Sequence, residues 1–267
     1  MGDYELEVAT HSDIGTERPN NEDACGALAE GAACAVVVVA DGVSGGNGGE
    51  VASQMAVEVL LRAYREQPAA TPAGQRLYRA VQQANIEIYD RAVAVPELRG
   101  MATTLTAVVV ERGALTAVHV GDTRLYLLRD GAITQLTKDH TVTAEKVRMK
   151  VLSREKARLH PDRSVLTRSV GRELIVARDR LTQRLQQHDV LLLCSDGLYN
   201  VLGDPELAAL TSGGDAAAVS RALVDAANRR GTPDNVTAAV VRVVGPTPEG
   251  WEPAPGLGER LRRMFGG

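Results

Sequence analysis

The chain has 267 residues, of which 44% are hydrophobic and 24% charged, as is usual for a soluble globular protein. Its net charge of −4 argues against a partner held by bulk attraction to phosphates, so we expect no nucleic-acid partner. The beginning of the chain lacks a signal-peptide pattern, and no apolar run approaches the roughly 20 residues that span a bilayer. We therefore expect a cytoplasmic protein without a transmembrane segment.

Short runs rich in β-branched residues predict the strands. In chain order they cover residues 6–12, 33–41, 103–111, 114–122, 124–130, 188–196 and 235–243. Neighbouring runs are separated by Arg112-Gly113, Gly121-Asp122 and Asp130-Gly131, which is hairpin spacing. The sheets should therefore be largely antiparallel.

Apolar residues recur at helical spacing in residues 50–66, 74–92 and 215–229. Because these helices do not alternate one for one with the strands, a doubly wound parallel sheet is disfavoured. We expect an α+β fold in which helices pack outside two antiparallel sheets.

One domain is predicted over residues 1–245, and one segment within it departs from the pattern. Residues 138–173 are polar and rich in Arg and Lys, which favours a mobile, mostly helical insertion. Residues 246–267 are rich in Pro and Gly and end in a short basic amphipathic stretch. This last segment is predicted to be a tail with little core of its own.

Carboxylates stand at the ends of several apolar runs. They are Glu22, Asp23, Asp41, Asp122, Asp196 and Asp234. Each alone is consistent with a turn, since Asp-Gly is a common turn dipeptide. Strand ends that meet in space would bring the carboxylates together, and they would then repel one another unless a cation neutralised them. Hard divalent cations prefer such oxygen ligands.

The apolar run that ends in Asp41-Gly42 is the clearest case. Asp41 is predicted to be a metal ligand, and Gly42 would let a backbone carbonyl approach the ion. A pair of ions bridged by Asp41 could activate water for in-line displacement at phosphorus. Arg18 is then the candidate for holding phosphate oxygens, with a solvated surface arginine as the alternative.

Other chemistries have weaker signals. The sequence lacks a P-loop and an H-E-x-x-H motif, and no Cys is followed six residues later by Arg. His140 and His160 lie in the insertion, where they remain candidates for substrate contact.

Seven segments together carry a family resemblance. They are residues 12–24, 39–53, 101–110, 120–141, 165–171, 191–202 and 231–241. In this order they resemble the metal-dependent protein serine/threonine phosphatases of type 2C, the PPM family, in its bacterial form. The resemblance extends over about residues 5 to 245 and implies a four-layer α-β-β-α sandwich with 138–173 as a flap.

The resemblance also implies a cofactor of two Mn²⁺ or Mg²⁺ ions. Asp41 would bridge the two ions, and the carbonyl of Gly42 would serve the second. Asp196 and Asp234 would be ligands of the first ion.

Further roles are implied for the neighbouring residues. Glu22 and Asp23 would be outer or water-mediated ligands, and Asp122 would hold a third, weaker ion. Arg18 matches the phosphate-binding arginine of the family. The chain departs from the family at Val43, where members often have His or Met, so the residue that protonates the leaving group is unassigned.

The implied reaction is hydrolysis of phosphoserine and phosphothreonine on proteins by a water bridging the two ions. Phosphorylated proteins would be the partners, including a cognate serine/threonine kinase, and we expect a monomer. Two alternatives stay open at this point. One is a non-catalytic regulator with the same fold, and the other is a metallohydrolase for small phosphate esters or nucleotides.

Overall fold

The computed structural model describes residues 5–43 and 48–245. The predicted tail, 246–267, lies outside the described residues, as do residues 44–47 of the glycine-rich loop. Among the residues described, no helix has the length and apolar character that a membrane crossing requires.

In the described ranges, ten strands form two antiparallel five-stranded sheets. The strands are β1 (Leu6–Asp13), β2 (Asp23–Ala29), β3 (Cys34–Asp41), β4 (Leu105–Glu111), β5 (Ala114–Val120), β6 (Arg124–Arg129), β7 (Ala132–Gln135), β8 (Asp179–Arg184), β9 (Val190–Cys194) and β10 (Val236–Val243). The first sheet has the order β1-β10-β9-β6-β7, and the second has the order β2-β3-β4-β5-β8.

Helices of the described residues either cover the outer faces of the sheets or lie in the insertion. They are α1 (Gly49–Glu66), α2 (Ala73–Ala94), α3 (Val142–Arg148), α4 (Arg154–Arg158), α5 (Asp196–Tyr199), α6 (Asp204–Thr211) and α7 (Ala216–Arg229), with 3₁₀ turns at Pro96–Leu98 and Pro161–Ser164. Buried residues of α1 and α2 pack on the second sheet, and those of α5, α6 and α7 pack on the first. The expected α+β sandwich of two antiparallel sheets flanked by helices is confirmed.

Strand β3 shows why its sequence is apolar without alternation. Val36 and Val38 belong to the core under α1 and α2, whereas Val37 and Val39 face the other sheet. All four side chains are fully buried, because both faces of the strand are covered. Each such valine contributes roughly 1.5–3 kcal/mol of transfer free energy. The strand is therefore a rigid support for Asp41 at its end.

Two of the three expected hairpins are present, and the third is wrong. Arg112-Gly113 and Asp130-Gly131 have positive φ at both residues, as in the type I′ turns that join paired strands. Gly121-Asp122 instead connects β5 to β6, which belong to different sheets. This connection crosses the sandwich, so its residues lie at the edge where the two sheets meet.

The insertion 138–173 is tied to the body of the protein at both of its ends. Helices α3, α4 and the turn Pro161–Ser164 make up its helical part, which is less than predicted. At one end His140 is almost fully buried, and at the other Val170 forms a bridge with Thr103. The ends of the insertion therefore contribute to the core beside the crossing connection.

Candidate active site

The candidate carboxylates come from strand ends that meet at one edge of the sandwich. Asp23 begins β2 and lies directly opposite Asp41, the last residue of β3. In the other sheet β9 and β10 are antiparallel neighbours. Asp196 follows β9 and Asp234 precedes β10, so the two residues lie at the same end of the strand pair. Asp122 lies in the crossing connection after β5. The sequence therefore brings five carboxylates from both sheets to one edge.

A hydrogen bond between the sheets fixes Asp23. The Ser195 hydroxyl donates to Asp23 Oδ2 at 2.6 Å, and the backbone N–H of Thr237 donates to Ser195 Oγ at 3.0 Å. Ser195 is fully buried and immediately precedes Asp196. It therefore sets the separation of the two strand ends. Sequence reasoning does not assign this role to Ser195, whose only signal is its place before the Asp-Gly pair.

The side-chain amide of Asn235 holds the segment that carries Glu22. The backbone N–H of Glu22 donates to Asn235 Oδ1 at 2.8 Å. Asn235 Nδ2 donates to the carbonyls of Ile14 and Asn20, at 2.8 and 3.0 Å. One buried amide thus replaces three backbone partners of this loop. The sequence marks Asn235 only as the neighbour of Asp234.

Close packing of the backbone around Gly42 leaves no space for a side chain at this position. A Cβ atom on Gly42 would lie 2.3 Å from the carbonyl oxygen of Gly49 and 2.8 Å from that of Glu22. The Gly42 N–H also donates to the Glu22 carbonyl at 2.9 Å. The space that a side chain would occupy is therefore filled by protein backbone. Packing between the end of β3 and the start of α1 explains this glycine.

Gly42→Ala is expected to lower the free energy of unfolding by about 1–3 kcal/mol, because backbone atoms must move to accept the methyl group. Gly213→Ala is the matched control, since a Cβ there meets no atom within 4 Å. Urea unfolding of both variants measures the difference. Equal stability of the two would contradict the packing argument.

Two consecutive threonines fix the backbone of Asp41. Its carbonyl accepts hydrogen bonds from the N–H of Thr104 and the hydroxyl of Thr103, both at 2.8 Å. Its own N–H donates to Thr104 Oγ1 at 3.0 Å. With both peptide groups held, the direction of the Cα–Cβ bond of Asp41 is fixed. No pattern in the sequence indicates this role of the two threonines.

The carboxylates raise one another's pKa values. Burial comes first and raises the pKa of Asp23 to about 7 and that of Asp196 to about 6. The pKa of Asp41 is raised by burial and then by the charges of Asp23, Asp196, Asp122 and Asp234. Burial and Asp196 likewise raise the pKa of Asp122. Such a cluster of anions is unfavourable unless cations neutralise it.

Arg18 lies beside this cluster and is paired. Its Nη2 donates to Asp234 Oδ2 at 2.8 Å, and the two side chains are 34% and 32% exposed. The bond to Asp234 raises the pKa of Arg18, against the opposing effect of burial, and the charges of Glu22 and Asp196 raise it further. The guanidinium therefore stands at the solvent side of the carboxylates.

The donor set fits hard divalent cations. In the described part of the chain, no group of three or more His, Cys, Asp or Glu side chains is arranged to hold an ion by itself. Mg²⁺ is usually held by one or two carboxylates and keeps several waters, so a full protein cage is not required. Oxygen donors that repel one another at a partly exposed edge suit such a cation.

His140, which the sequence left as a candidate for substrate contact, is buried in the interior. Its side chain is 1% exposed, and its ring packs against that of His119 with the centroids 4.8 Å apart. It is part of the support beneath the site.

Comparison with known proteins decides the family. The sequence profile described as protein phosphatase 2C matches residues 12–237, which is most of the chain. The chain belongs to the protein phosphatase 2C family.

Two bacterial proteins are relatives of this phosphatase 2C chain. The serine/threonine phosphatase stp of Listeria innocua is 36% identical over 234 residues, which are 86% of this chain and 93% of that protein. PstP, a serine/threonine protein phosphatase of Mycobacterium tuberculosis, is 38% identical over 241 residues, or 90% of this chain and 45% of that protein.

A solved structure has the same architecture. The catalytic domain of the serine/threonine protein phosphatase PstP, in complex with two manganese ions, superposes with a TM-score of 0.80. The two sequences are 34% identical, and the superposed region spans 91% of this chain and 100% of the PstP chain. Sequence, relatives and fold agree that this phosphatase 2C protein is a serine/threonine phosphatase.

Proposed function

We propose that the carboxylate edge is the active site for hydrolysis of phosphoserine and phosphothreonine in proteins, with two Mn²⁺ or Mg²⁺ ions as cofactor. The observation that carries the proposal is the convergence of carboxylates from both sheets beside Arg18. The similar PstP catalytic domain, solved in complex with two manganese ions, supports manganese.

The residue roles are those that the family resemblance implies. Asp41 and the carbonyl of Gly42 would serve the ion pair, with Asp196 and Asp234 on the first ion. Asp41 suits a shared role, because its pKa is raised by the charges of both Asp196 and Asp234.

Asp23, Glu22 and Asp122 would be the outer ligands around the ion pair. Asp23 is the strand-register partner of Asp41 and already accepts a hydrogen bond from Ser195. Both features suit an outer or water-mediated ligand. Glu22 is held close to Gly42 by backbone bonds, and Asp122 would hold a third ion.

The residues of this chain position the substrate and shape the field around it. When bound, the divalent ions would supply an activated water and polarise the phosphoryl oxygens. Arg18 would place its guanidinium against phosphoryl oxygens and stabilise the charge that develops there. The fixed backbones of Asp41 and Glu22 keep the points from which the two carboxylates project in place.

The two alternatives are weaker. A regulator without activity would usually lack one of Asp41, Asp196 or Asp234, and this chain has all three. A phosphatase for small esters fits the same site, so substrate preference must separate it from a protein phosphatase.

Metal removal and a substrate panel test the proposal. We expect turnover of p-nitrophenyl phosphate and of a phosphothreonine peptide with Mn²⁺ and its loss in EDTA, because the carboxylates alone cannot activate water. A nucleotide should be a poorer substrate than the peptide. Turnover that survives EDTA, or preference for the nucleotide, would contradict the proposal. The same assay on residues 1–245 tests whether these residues form the complete phosphatase domain.

The proposal includes a compartment, a class of partner and an oligomeric state. The enzyme would act in the cytoplasm on proteins phosphorylated by a serine/threonine kinase of the same cell. A monomer is proposed because all the suggested ligands come from one chain.

A further inference from the structure

The turn that presents Asp122 has an unusual backbone. Gly121 has φ +102°, and a Cβ atom there would lie 2.6 Å from Cβ of Thr104. Only glycine fits this conformation and this contact. Thr104 is also the residue that bonds both peptide groups of Asp41. The turn before Asp122 and the end of β3 are therefore packed on one shared side chain.

One residue of the insertion binds both polar groups of Gly121. The backbone N–H of His140 donates to the Gly121 carbonyl at 2.7 Å. The N–H of Gly121 donates in return to Nδ1 of the His140 ring at 3.1 Å. The ring is 1% exposed, so water does not compete for this acceptor.

The other side of the His140 ring contacts the far end of the insertion and the start of β8. Nε2 lies 3.3 Å from Nη1 of Arg168 and 3.4 Å from Oδ2 of Asp179. The His140 carbonyl accepts from the N–H of Thr167 at 2.8 Å. Burial and then the charge of Arg168 lower the pKa of His140, which favours the neutral ring with Nδ1 as an acceptor.

We propose that His140 is a positioning residue that holds the Gly121 peptide and thereby aims the Asp122 carboxylate at the active site. The inference rests on the proposed function, in which Asp122 is an ion ligand. Because His140 also contacts both ends of the insertion, the insertion and the Asp122 turn are fixed through one imidazole.

Two substitutions separate the acceptor from the rest of the side chain. His140→Asn can place its Oδ1 near the position of Nδ1 and keep the bond from Gly121, whereas His140→Leu removes the acceptor. We expect the leucine variant to require about 10–100-fold more Mn²⁺ for half-maximal turnover, the range seen for residues that orient metal ligands. The asparagine variant should remain close to wild type.

A measurement without metal tests the bond directly. Hydrogen exchange of the Gly121 amide, followed by NMR in EDTA, should be faster in His140→Leu than in wild type and slow in His140→Asn. If the leucine variant does not fold, His140→Gln replaces it, because its longer side chain places the oxygen away from the Nδ1 position.

A double-mutant cycle shows whether His140 acts through Asp122. In an Asp122→Asn background, His140→Leu should shift the Mn²⁺ requirement no further. An additive effect, an asparagine variant as impaired as the leucine variant, or unchanged Gly121 exchange would overturn the inference. Absence of Mn²⁺-dependent turnover in the wild type would instead refute the proposed function, and the exchange measurement would still decide whether His140 holds the turn.

Discussion

Asp41→Asn is expected to reduce Mn²⁺-dependent turnover of a phosphothreonine peptide by about 1,000-fold or more, while the protein stays folded. The pKa of Asp41 is raised by burial and then by the charges of four other carboxylates, Asp23, Asp196, Asp122 and Asp234. The substitution keeps the shape of the side chain but removes the charge at the centre of the cluster. Steady-state kinetics with saturating Mn²⁺ measure the loss.

Thermal unfolding separates a lost site from a lost fold. Mn²⁺ should raise the melting temperature of the wild type, since a ligand that binds only the native state stabilises it. In Asp41→Asn this metal-dependent shift should be greatly reduced. Without metal the variant should be at least as stable as wild type, because the burial and repulsion that raise the pKa of Asp41 no longer act on a charge.

Asp225→Asn is a matched control for the charge change. Asp225 is exposed on α7 and is not one of the carboxylates at the strand ends of the site. It should keep both turnover and the Mn²⁺-dependent shift. Wild-type turnover in Asp41→Asn would contradict the role of Asp41, and equal losses in the two variants would point to a general effect of charge.

The long elements are well predicted from the sequence because their patterns are strong. The runs that form β3 and β10 are apolar throughout most of their length, since each is buried on both faces. The three helices predicted at 50–66, 74–92 and 215–229 differ from α1, α2 and α7 by at most two residues at either end. A continuous apolar run or a helical spacing of apolar residues predicts such elements without knowledge of their neighbours.

Short or edge strands escape prediction for a physical reason. Strand β8 is exposed at alternate positions and lies at the edge of its sheet, and β7 has four residues, three of them exposed. Strand β2 is built mostly from small residues. These strands obtain their stability from pairing with a partner, which a local pattern does not contain.

Some residues of the site can be predicted from the sequence and others cannot. The carboxylates can be found because an acidic residue after an apolar run is conspicuous. Ser195 and Asn235 cannot, because their roles depend on the register and separation of strands that are far apart in the chain. The pattern around Gly121-Asp122 predicts a hairpin turn, since the sequence does not say which sheet the next strand joins.

Arg18→Ala is expected to lower kcat/KM for a phosphothreonine peptide by about 100-fold, because a charged donor to the phosphoryl oxygens is lost. Arg18→Lys keeps the charge without the planar fork and should fall between the alanine variant and wild type. The comparison matters because Arg18 is bonded to Asp234 in the structure. The lower kcat/KM would therefore have one of two causes. Either the contact between Arg18 and the phosphoryl group is lost, or Asp234 is displaced because its partner is missing.

Inorganic phosphate separates these two roles of Arg18. If the guanidinium binds phosphoryl oxygens, phosphate should inhibit Arg18→Ala about 10-fold more weakly than wild type, as expected for loss of about 1.4 kcal/mol of binding. If Arg18 only supports Asp234, the inhibition constant should stay the same and the Mn²⁺ requirement should rise. An alanine variant with unchanged kcat/KM, phosphate inhibition and Mn²⁺ requirement would show that the ion pair with Asp234 is a surface contact without a catalytic role.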